Sequence, residues 1–410
     1  MANKVAVVLG GTYPHIELIN KLKKRGYDTV LFDYLKNPPA KQAADKHIQI
    51  STLDKEEVLK AAKALNAGLV ISSCIDQANM VACYVSEQLN LPRPYSYQTA
   101  LDVTNKKRMK EIFVRVGIPT AEYYVISSVC ELEPDKLQFP LVIKPVDSNS
   151  SKCVKRAENT EELYRYAEEA LSQSRDKAAI VEEFQEGTEV QVDCFVDGIG
   201  KTQVLLTRDK RKQRDFEGQV LNSLGSIFPS QVLDSLEQSI QRTAEKIADA
   251  FELKNVPFFF QAIVNEKDIK VLEFAPRIGG GMSSYMIKTY TDFDILEASI
   301  DSWNNCNVDV RMTKNKYLFS TTLLYGYQGR FQSVEGLEAL KESGEIMEAV
   351  LYKRAGEMLT GEMDSGSRIA AFVSRAENLE QLKQKNERIL DKIRITDGSG
   401  TDILKRKLYT

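Results

Sequence analysis

Residues Phe258–Ser284 read FFFQAIVNEKDIKVLEFAPRIGGGMSS, two alternating apolar runs on either side of the turn-like Asn265–Asp268. That is the pattern of a β-hairpin. With the turn centred on Lys267, Gln261 lies as far before the centre as Glu273 lies after it, so the two face each other across the strands. Directly opposed Cβ atoms sit roughly 5 Å apart, close enough for two oxygen-bearing side chains to grip one hard cation such as Mg²⁺ at about 2.1 Å each. Arg277 follows Glu273 by one helical-turn length of sequence, and Gly279–Gly281 opens a backbone whose N–H groups can meet an anion. The plain alternative for Gln261 and Glu273 is a hydrogen bond across a solvated sheet face. The guanidinium and glycine run beyond them favour the cation site.

Outward from this hairpin, the 410 residues with 43% hydrophobic content exceed one compact core and suit two to three packed domains. Lys plus Arg number 55 and Asp plus Glu 58, a net charge of −3 with both signs interleaved. No basic field is present to gather nucleic acid or acidic lipid, so neither nucleic acid nor a membrane is expected as a partner. The six cysteines form no CxxC pair and read as buried thiols of a reducing compartment. The apolar start KVAVVLGG is too short for a signal peptide or a span, which makes a cytoplasmic protein the expectation. His15 and His47, the only histidines, supply neither a triad nor an imidazole cage, so chemistry falls to Lys, Arg and carboxylates.

Residues 1–100 alternate apolar runs (VAVVLGG, DTVLFD, AGLVISS) with helical stretches at Ile16–Arg25 and Asp54–Ala67, predicting an open parallel α/β domain that LNLPRPYSYQ ends. Its VLGGTYPH lacks the third glycine of GxGxxG, with a helix beginning near His15, which argues against an oxidoreductase; Gly10, Gly11 and Thr12 can instead cradle a substrate anion, and Asp33 fits either account. From 104 to 306 the order of helix NKKRMKEIFVRVG, strand PLVIKP, helix EELYRYAEEALSQ and strands AAIVEEF and EVQVDCFVDG predicts an α+β unit. A long helix is expected from about Ser230, with Leu233, Leu236, Ile240, Ala244, Ile247 and Phe251 on one stripe. Residues 307–410 read as a smaller α+β subdomain with strands YLFSTTLLYGY, IMEAVLYK and RIAAFVSR and a helix near Glu377–Ile393.

Several stretches place charge where a bare fold has little use for it. Lys144 closes the apolar strand PLVIKP, where an ammonium is desolvated to advantage only if an anion meets it. In the loop DSNSSKCV that follows, Ser148, Ser150, Ser151 and backbone amides can bond phosphate oxygens. IVEEFQEGTEVQVDCF runs an apolar strand into a Glu-rich linker and leaves as a strand with Glu189, Gln191 and Asp193 on one face, the form of a hinge between lobes. TRDKRKQRDFEGQV reads as a cationic loop between strands and contains Arg208 and Lys210.

Gln261, Glu273 and Arg277, with the glycine-rich tail, resemble the ATP-grasp superfamily, in which a hairpin carries an acidic or amide metal ligand followed by Glu-x-Asn-x-Arg. Ala275 stands in place of that Asn and removes one oxygen ligand of a second metal. The resemblance implies a pre-ATP-grasp α/β domain at 1–100, then an ATP-grasp domain at 104–306 with a small lobe over about 120–188 and a large lobe over about 189–306. It implies ATP as the nucleotide and Mg²⁺, or alternatively Mn²⁺, held by Gln261 and Glu273. Lys106, with Lys107 as its nearest competitor, and Lys144 take the places of the phosphate lysines, and Ser148, Ser150 and Ser151 that of the mobile loop over the triphosphate. Glu182 with the Glu183, Phe184 and Gln185 backbone falls at the adenine edge, Glu189 at the ribose, and Arg208 and Lys210 toward the γ-phosphate or acceptor carboxylate. Arg277 and amides near Gly280 fall to the tetrahedral oxyanion.

The implied activity, like that of the carboxylate-amine ligase and carbamoyl-phosphate synthetase branches, is phosphorylation of a small carboxylic acid to an acyl phosphate and its transfer to an amine. Small-molecule carboxylate and amine partners follow, and a homodimer is one state compatible with the sequence. Two alternatives stand beside this reading: a bicarbonate-phosphorylating carboxylase or carbamoyl-phosphate-type enzyme, and a non-catalytic nucleotide-binding protein, to which Ala275 points.

Overall fold

The computed structural model describes residues 4–148, 153–212, 223–265, 268–363 and 366–409. Ser150, Ser151 and the turn residue Lys267 lie outside them.

The N-terminal domain contains β1 (Lys4–Leu9), α1 (Tyr13–Lys24), β2 (Tyr27–Phe32), β3 (Lys46–Ile48), α2 (Lys55–Ala64), β4 (Leu69–Ile71) and α3 (Asp76–Gln88). Its strands run parallel in the order β3-β2-β1-β4. Ala6, Val7, Val8 and Leu9 are all fully buried, because helices cover both faces of a parallel sheet and its central strand must be continuously apolar. Helix α1 begins at Tyr13, ahead of the His15 expected from sequence, since Thr12 is extended at the N-cap and Pro14 sits in the first turn. Asp54 caps α2 by accepting the Glu57 N–H at 3.0 Å.

Helices α4 (Tyr97–Thr104) and α5 (Lys106–Val116) lead into the small lobe, formed by β5 (Tyr123–Ile126), β6 (Leu141–Pro145), β7 (Lys155–Ala157), α6 (Thr160–Gln173) and β8 (Ala179–Glu183). Its antiparallel sheet, in the order β5-β8-β6-β7, packs on α6 through Leu163, Ala167 and Ala170. The large lobe follows with β9 (Thr188–Val196), β10 (Thr202–Lys212), β11 (Ser223–Phe228), α7 (Glu237–Ala250), β12 (Val256–Val264), β13 (Ile269–Ala275), α8 (Ser283–Thr291) and α9 (Ile295–Trp303). Two expectations are corrected here. The cationic stretch from Thr207 to Lys212 is not a loop but the second half of β10, and α7 starts at Glu237 after a short 3-10 turn, not at Ser230. The apolar stripe is nonetheless as expected, with Leu233, Ile240, Ala244, Ile247 and Phe251 buried.

The C-terminal α+β unit holds β14 (Leu318–Leu324), β15 (Gly329–Glu335), α10 (Leu337–Glu342), β16 (Glu348–Leu351), β17 (Met358–Leu359), β18 (Ala370–Ala376), α11 (Leu379–Lys392) and β19 (Arg394–Asp397). It has its own core around Phe331, Phe372, Ile389 and Ile395. Its strands β14, β18 and β16 also continue the large-lobe sheet, giving the order β13-β12-β9-β10-β11-β14-β18-β16 among the described residues. The sheet edge left by β11 is thereby covered, which a strand edge requires to avoid pairing with another chain. All six cysteines are free; Cys83 and Cys194 are buried, but Cys130 and Cys306 are exposed, so the expectation of uniformly buried thiols is corrected.

Where β11 passes between β10 and β14, Gly225 takes φ +134°, and a Cβ there would collide with the Thr321 carbonyl oxygen. Only glycine tolerates both the angle and the approach. Gly225→Ala should therefore lower stability by at least about 1 kcal/mol in urea unfolding; an unchanged midpoint would mean the strands can part without cost.

Candidate active site

The register of the hairpin sets the site. Near the turn, Val264 pairs with Ile269, Ile263 with Lys270 and Ala262 with Val271, which is not symmetric about Lys267. The register then shifts between Ala262 and Gln261, leaving Leu272 as the extra residue of a β-bulge, and beyond it Gln261 faces Glu273. The expected pairing is present, but through a bulge that sequence symmetry did not include. Without it, Gln261 would face Leu272 and Glu273 would turn to the other side of the sheet.

On the adjacent strand β9, Gln191 pairs with Gln261. The Gln261 Nε2 donates to Gln191 Oε1 at 3.3 Å, and Gln191 Nε2 donates to Asp193 Oδ1 at 2.8 Å. Because alternate residues of a strand share a face, Glu189, Gln191 and Asp193 project together, and Arg208, Lys210 and Lys212 of β10 meet them. Arg208 ion-pairs with Asp193 and lies over the Phe228 ring at 4.8 Å. Lys210 and Lys212 share Glu189, the former at 2.5 Å. Burial pushes the Glu189 carboxyl up, and these two ammonium groups overcome it and hold it at about 2.

Lys106 opens α5, where Asn105 caps the helix by accepting the Lys107 and Arg108 N–H groups. Its Nζ donates to the Ser148 carbonyl and lies 4.0 Å from Glu273, whose side chain is 42% exposed. Burial draws the Lys106 ammonium below its ordinary range, with Glu273 opposing the shift. One turn on, the fully buried Lys110 donates to Thr120 at 2.7 Å and ion-pairs with Glu182 at 2.6 Å. Lys144 closes on the same carboxylate from β6. Burial raises the Glu182 carboxyl, but Lys144 and Lys110 outweigh it and hold it at about 2. The group assigned from sequence to an adenine edge thus has its oxygens turned to two ammonium groups. The Glu183 and Phe184 N–H groups donate to the Glu122 and Pro140 carbonyls, both at 3.1 Å, and the Arg156 guanidinium lies over the Phe184 ring. Gln185 follows, partly exposed.

Arg277 reaches across to the N-terminal domain. Its Nε and Nη2 donate to the two carboxylate oxygens of Asp76, each at 2.6 Å, and Nη1 donates to the Ile278 carbonyl at 2.9 Å, with Phe259 beneath the guanidinium at 5.0 Å. Gly280, next to it, has open space where a Cβ would stand. The Gly10–Thr12 loop is occupied within its own domain: the Gly11 N–H donates to Asp33 at 2.7 Å, and Thr12 bonds His15, which burial holds neutral with a pKa of about 4.

Lys106, Glu189, Gln191, Arg208, Lys210, Gln261, Glu273, Arg277 and Gly280 converge on one cavity of about 390 Å³. Lys144, Ser148, Glu182 and the Glu183–Gln185 segment stand outside its lining, in the small lobe. A family model for the ATP-grasp domain matches residues 137–285, which include the small-lobe residues and every one of these cavity residues except Lys106. The chain carries an ATP-grasp domain over these residues. A second model, L-amino acid ligase C-terminal domain 2, matches residues 322–397. A formate-dependent phosphoribosylglycinamide formyltransferase of Prochlorococcus marinus is 30% identical over 186 residues, 44% of this chain and 47% of that protein. The carbamoyl phosphate synthase large chain of Clostridium beijerinckii is 22% identical across 67% of this chain and 27% of its own. The chain thus spans about half the length of the formyltransferase it matches. Among solved structures, an L-amino acid ligase from Bacillus licheniformis superposes with a TM-score of 0.80 at 19% identity, covering 97% of this chain and 99% of its own, a likeness of fold.

Sequence reasoning passed over Asp76, Lys110 and Lys212. Lys110 was within reach, since helical spacing puts it on the buried stripe of Lys106, Met109 and Phe113. Asp76 was not, because its partner is 201 residues away.

The Glu182 clamp carries a pH dependence. Its folded pKa of about 2 lies below the ordinary 4.5, so its contribution is complete above the unfolded value and is lost as pH falls through the folded one. Glu182→Gln should be about 3 kcal/mol less stable at neutral pH, with two buried ammonium groups uncompensated, and should lose less further stability than wild type on acidification. Parallel stability curves in urea at descending pH would contradict this.

Proposed function

We propose that the chain is an ATP- and Mg²⁺-dependent carboxylate-amine ligase, with Mn²⁺ as an alternative metal. It would phosphorylate a small carboxylic acid to an acyl phosphate and pass the acyl group to an amine, releasing ADP and phosphate. The observation that carries this reading is the convergence of Lys106, the Gln261–Glu273 pair, Arg277 and Gly280 on one cavity.

The residues fit one cation better than two. Gln261 and the partly exposed Glu273 offer an amide and a carboxylate side by side, whereas Ala275 offers no side-chain oxygen. Among the described residues no group of three or more His, Cys, Asp and Glu forms a closed cage, so nucleotide oxygens would complete the coordination. When bound there, the ion supplies charge neutralisation at the transferring phosphoryl group.

The chain's own side chains then divide the work. Lys106, desolvated beside Glu273, favours polyphosphate binding because an anion restores the stability of its ammonium. Arg208, Lys210 and Lys212 add positive charge on the large-lobe side, where negative charge develops as the carboxylate attacks the γ-phosphorus. Arg277 and the open backbone at Gly280 stabilise the oxyanion formed when the amine attacks the acyl phosphate. Asp76 is a positioning residue, fixing the guanidinium plane from the opposite domain. No protein nucleophile is needed. The match to L-amino acid ligase C-terminal domain 2 supports amino acids as the first substrates to try.

ADP release with ATP and Mg²⁺ across a panel of carboxylic acids, with and without amines, tests the reading. Stimulation should need both acid and amine and fall at least about 100-fold in Glu273→Ala; stimulation by bicarbonate alone would replace the ligase with a carboxylase. Asp76→Asn should lower kcat about tenfold or more while leaving ATP affinity near wild type, and an equal loss of ATP affinity would show that Asp76 only holds the domains together.

A further inference from the structure

The cavity's cations are paired with carboxylates, with one exception among the described residues. Lys106 faces Glu273, Arg208 pairs with Asp193, Lys210 and Lys212 share Glu189, and Arg277 is held by Asp76. Arg368, which also lines the cavity, makes no ion pair with any described residue, and no described residue accepts a hydrogen bond from its buried Nε.

Tyr352 stands beside it. Leu351 of β16 pairs with Ala370 of β18, and the Tyr352 N–H donates to the Ile369 carbonyl at 2.8 Å, so the two side chains spring from adjacent backbone segments at the cavity wall. The Tyr352 hydroxyl is likewise buried and has no hydrogen-bond partner among the described residues. Burial pushes it up to about 12, with Arg368 pulling the other way, so it remains a protonated donor. Tyr13 of α1 packs edge-on to the Tyr352 ring at 5.4 Å, which turns this corner toward the N-terminal domain and not toward the small-lobe sheet that carries Lys144. Leu323, Met363 and Ala371 supply apolar wall nearby. A guanidinium nitrogen and a phenol left unpaired in such surroundings both lack an acceptor, and one anionic group between them would satisfy both.

We propose that Arg368 and Tyr352 form an anion subsite for the part of a substrate that does not react, a carboxylate or a phosphate carried away from the group undergoing chemistry. This rests on the ligase reading, because only a substrate in this cavity has a reacting end at Lys106, Glu273 and Arg277. The substrate classes are then amino acids, whose α-carboxylate stays free when the amine reacts, or phosphorylated amines. Neutral amines would lack the contact.

Two measurements on the full chain test it. The first needs no turnover: labelling of Arg368 by phenylglyoxal, followed by mass spectrometry, in the presence of acetate, inorganic phosphate or chloride at matched ionic strength. Slower labelling with acetate points to a carboxylate, slower labelling with phosphate to a phosphate, and protection by neither beyond chloride overturns the subsite. The second compares ADP release for paired amines that differ only in the anionic group: an amino acid against its amide, and a phosphorylated amine against its alcohol. The anionic member of a pair should be preferred, with that preference in kcat/KM falling on the order of tenfold to 100-fold in Arg368→Ala and partly regained in Arg368→Lys. An equal loss for both members would mean that Arg368 only packs the wall, and would overturn the proposal. No ADP release with any pair, alongside anion protection of Arg368, would remove the ligase reading while leaving an anion site in place.

Discussion

The bidentate ion pair of Asp76 and Arg277 joins the first residue of α3 to the segment that leaves β13, and with it the N-terminal domain to the proposed metal-binding hairpin. Burying such a pair costs desolvation that attraction barely offsets, so its value lies less in stability than in fixing one arrangement. With both carboxylate oxygens engaged, the guanidinium plane is set from outside the large lobe, and the Ile278 carbonyl and Phe259 ring leave it little freedom to turn. The second cross-domain contact, where Lys21 meets Asp294 and Glu297 and Arg25 meets Glu297 and Asp301, ties α1 to α9. The Arg25 pairs are more exposed, while Lys21 and Asp294 are as buried as Arg277 and Asp76; none of the residues of this second contact lines the cavity.

Within the site, charge is balanced locally before any ligand arrives. Glu182 lies between Lys110 and Lys144, Glu189 between Lys210 and Lys212, and Asp193 against Arg208. Each carboxylate offsets the charge of the cations packed against it, so their burial leaves no large uncompensated charge at these places. Arg368 breaks this pattern: among the described residues no carboxylate pairs with it, which makes that corner different in kind from the rest.

Much of the fold was legible because the signals are local. Periodicity marked the parallel N-terminal sheet, the stripe of α7 and the hairpin, and the desolvated strand end at Lys144 reported a buried charge cluster. The failures were also physical. Thr207–Lys212 read as a loop because its charge masked a strand whose alternate residues find carboxylates on β9, partners that exist only once the strands pair. The C-terminal strands could be named but not joined to the large-lobe sheet, because pairing of β11 with β14 depends on the close approach that Gly225 permits.

The sequence by itself determined the order of domains, the types of most elements, and the residues whose chemistry suits phosphate and a hard cation, because periodicity and charge placement act over a few residues. Tertiary structure decided which of those residues meet. The Leu272 bulge put Glu273 opposite Gln261, Lys110 and Lys144 closed on Glu182, and Asp76 took hold of Arg277 from another domain. Such contacts follow from strand register and domain packing, which depend on the whole buried core and leave no mark in any short stretch of residues.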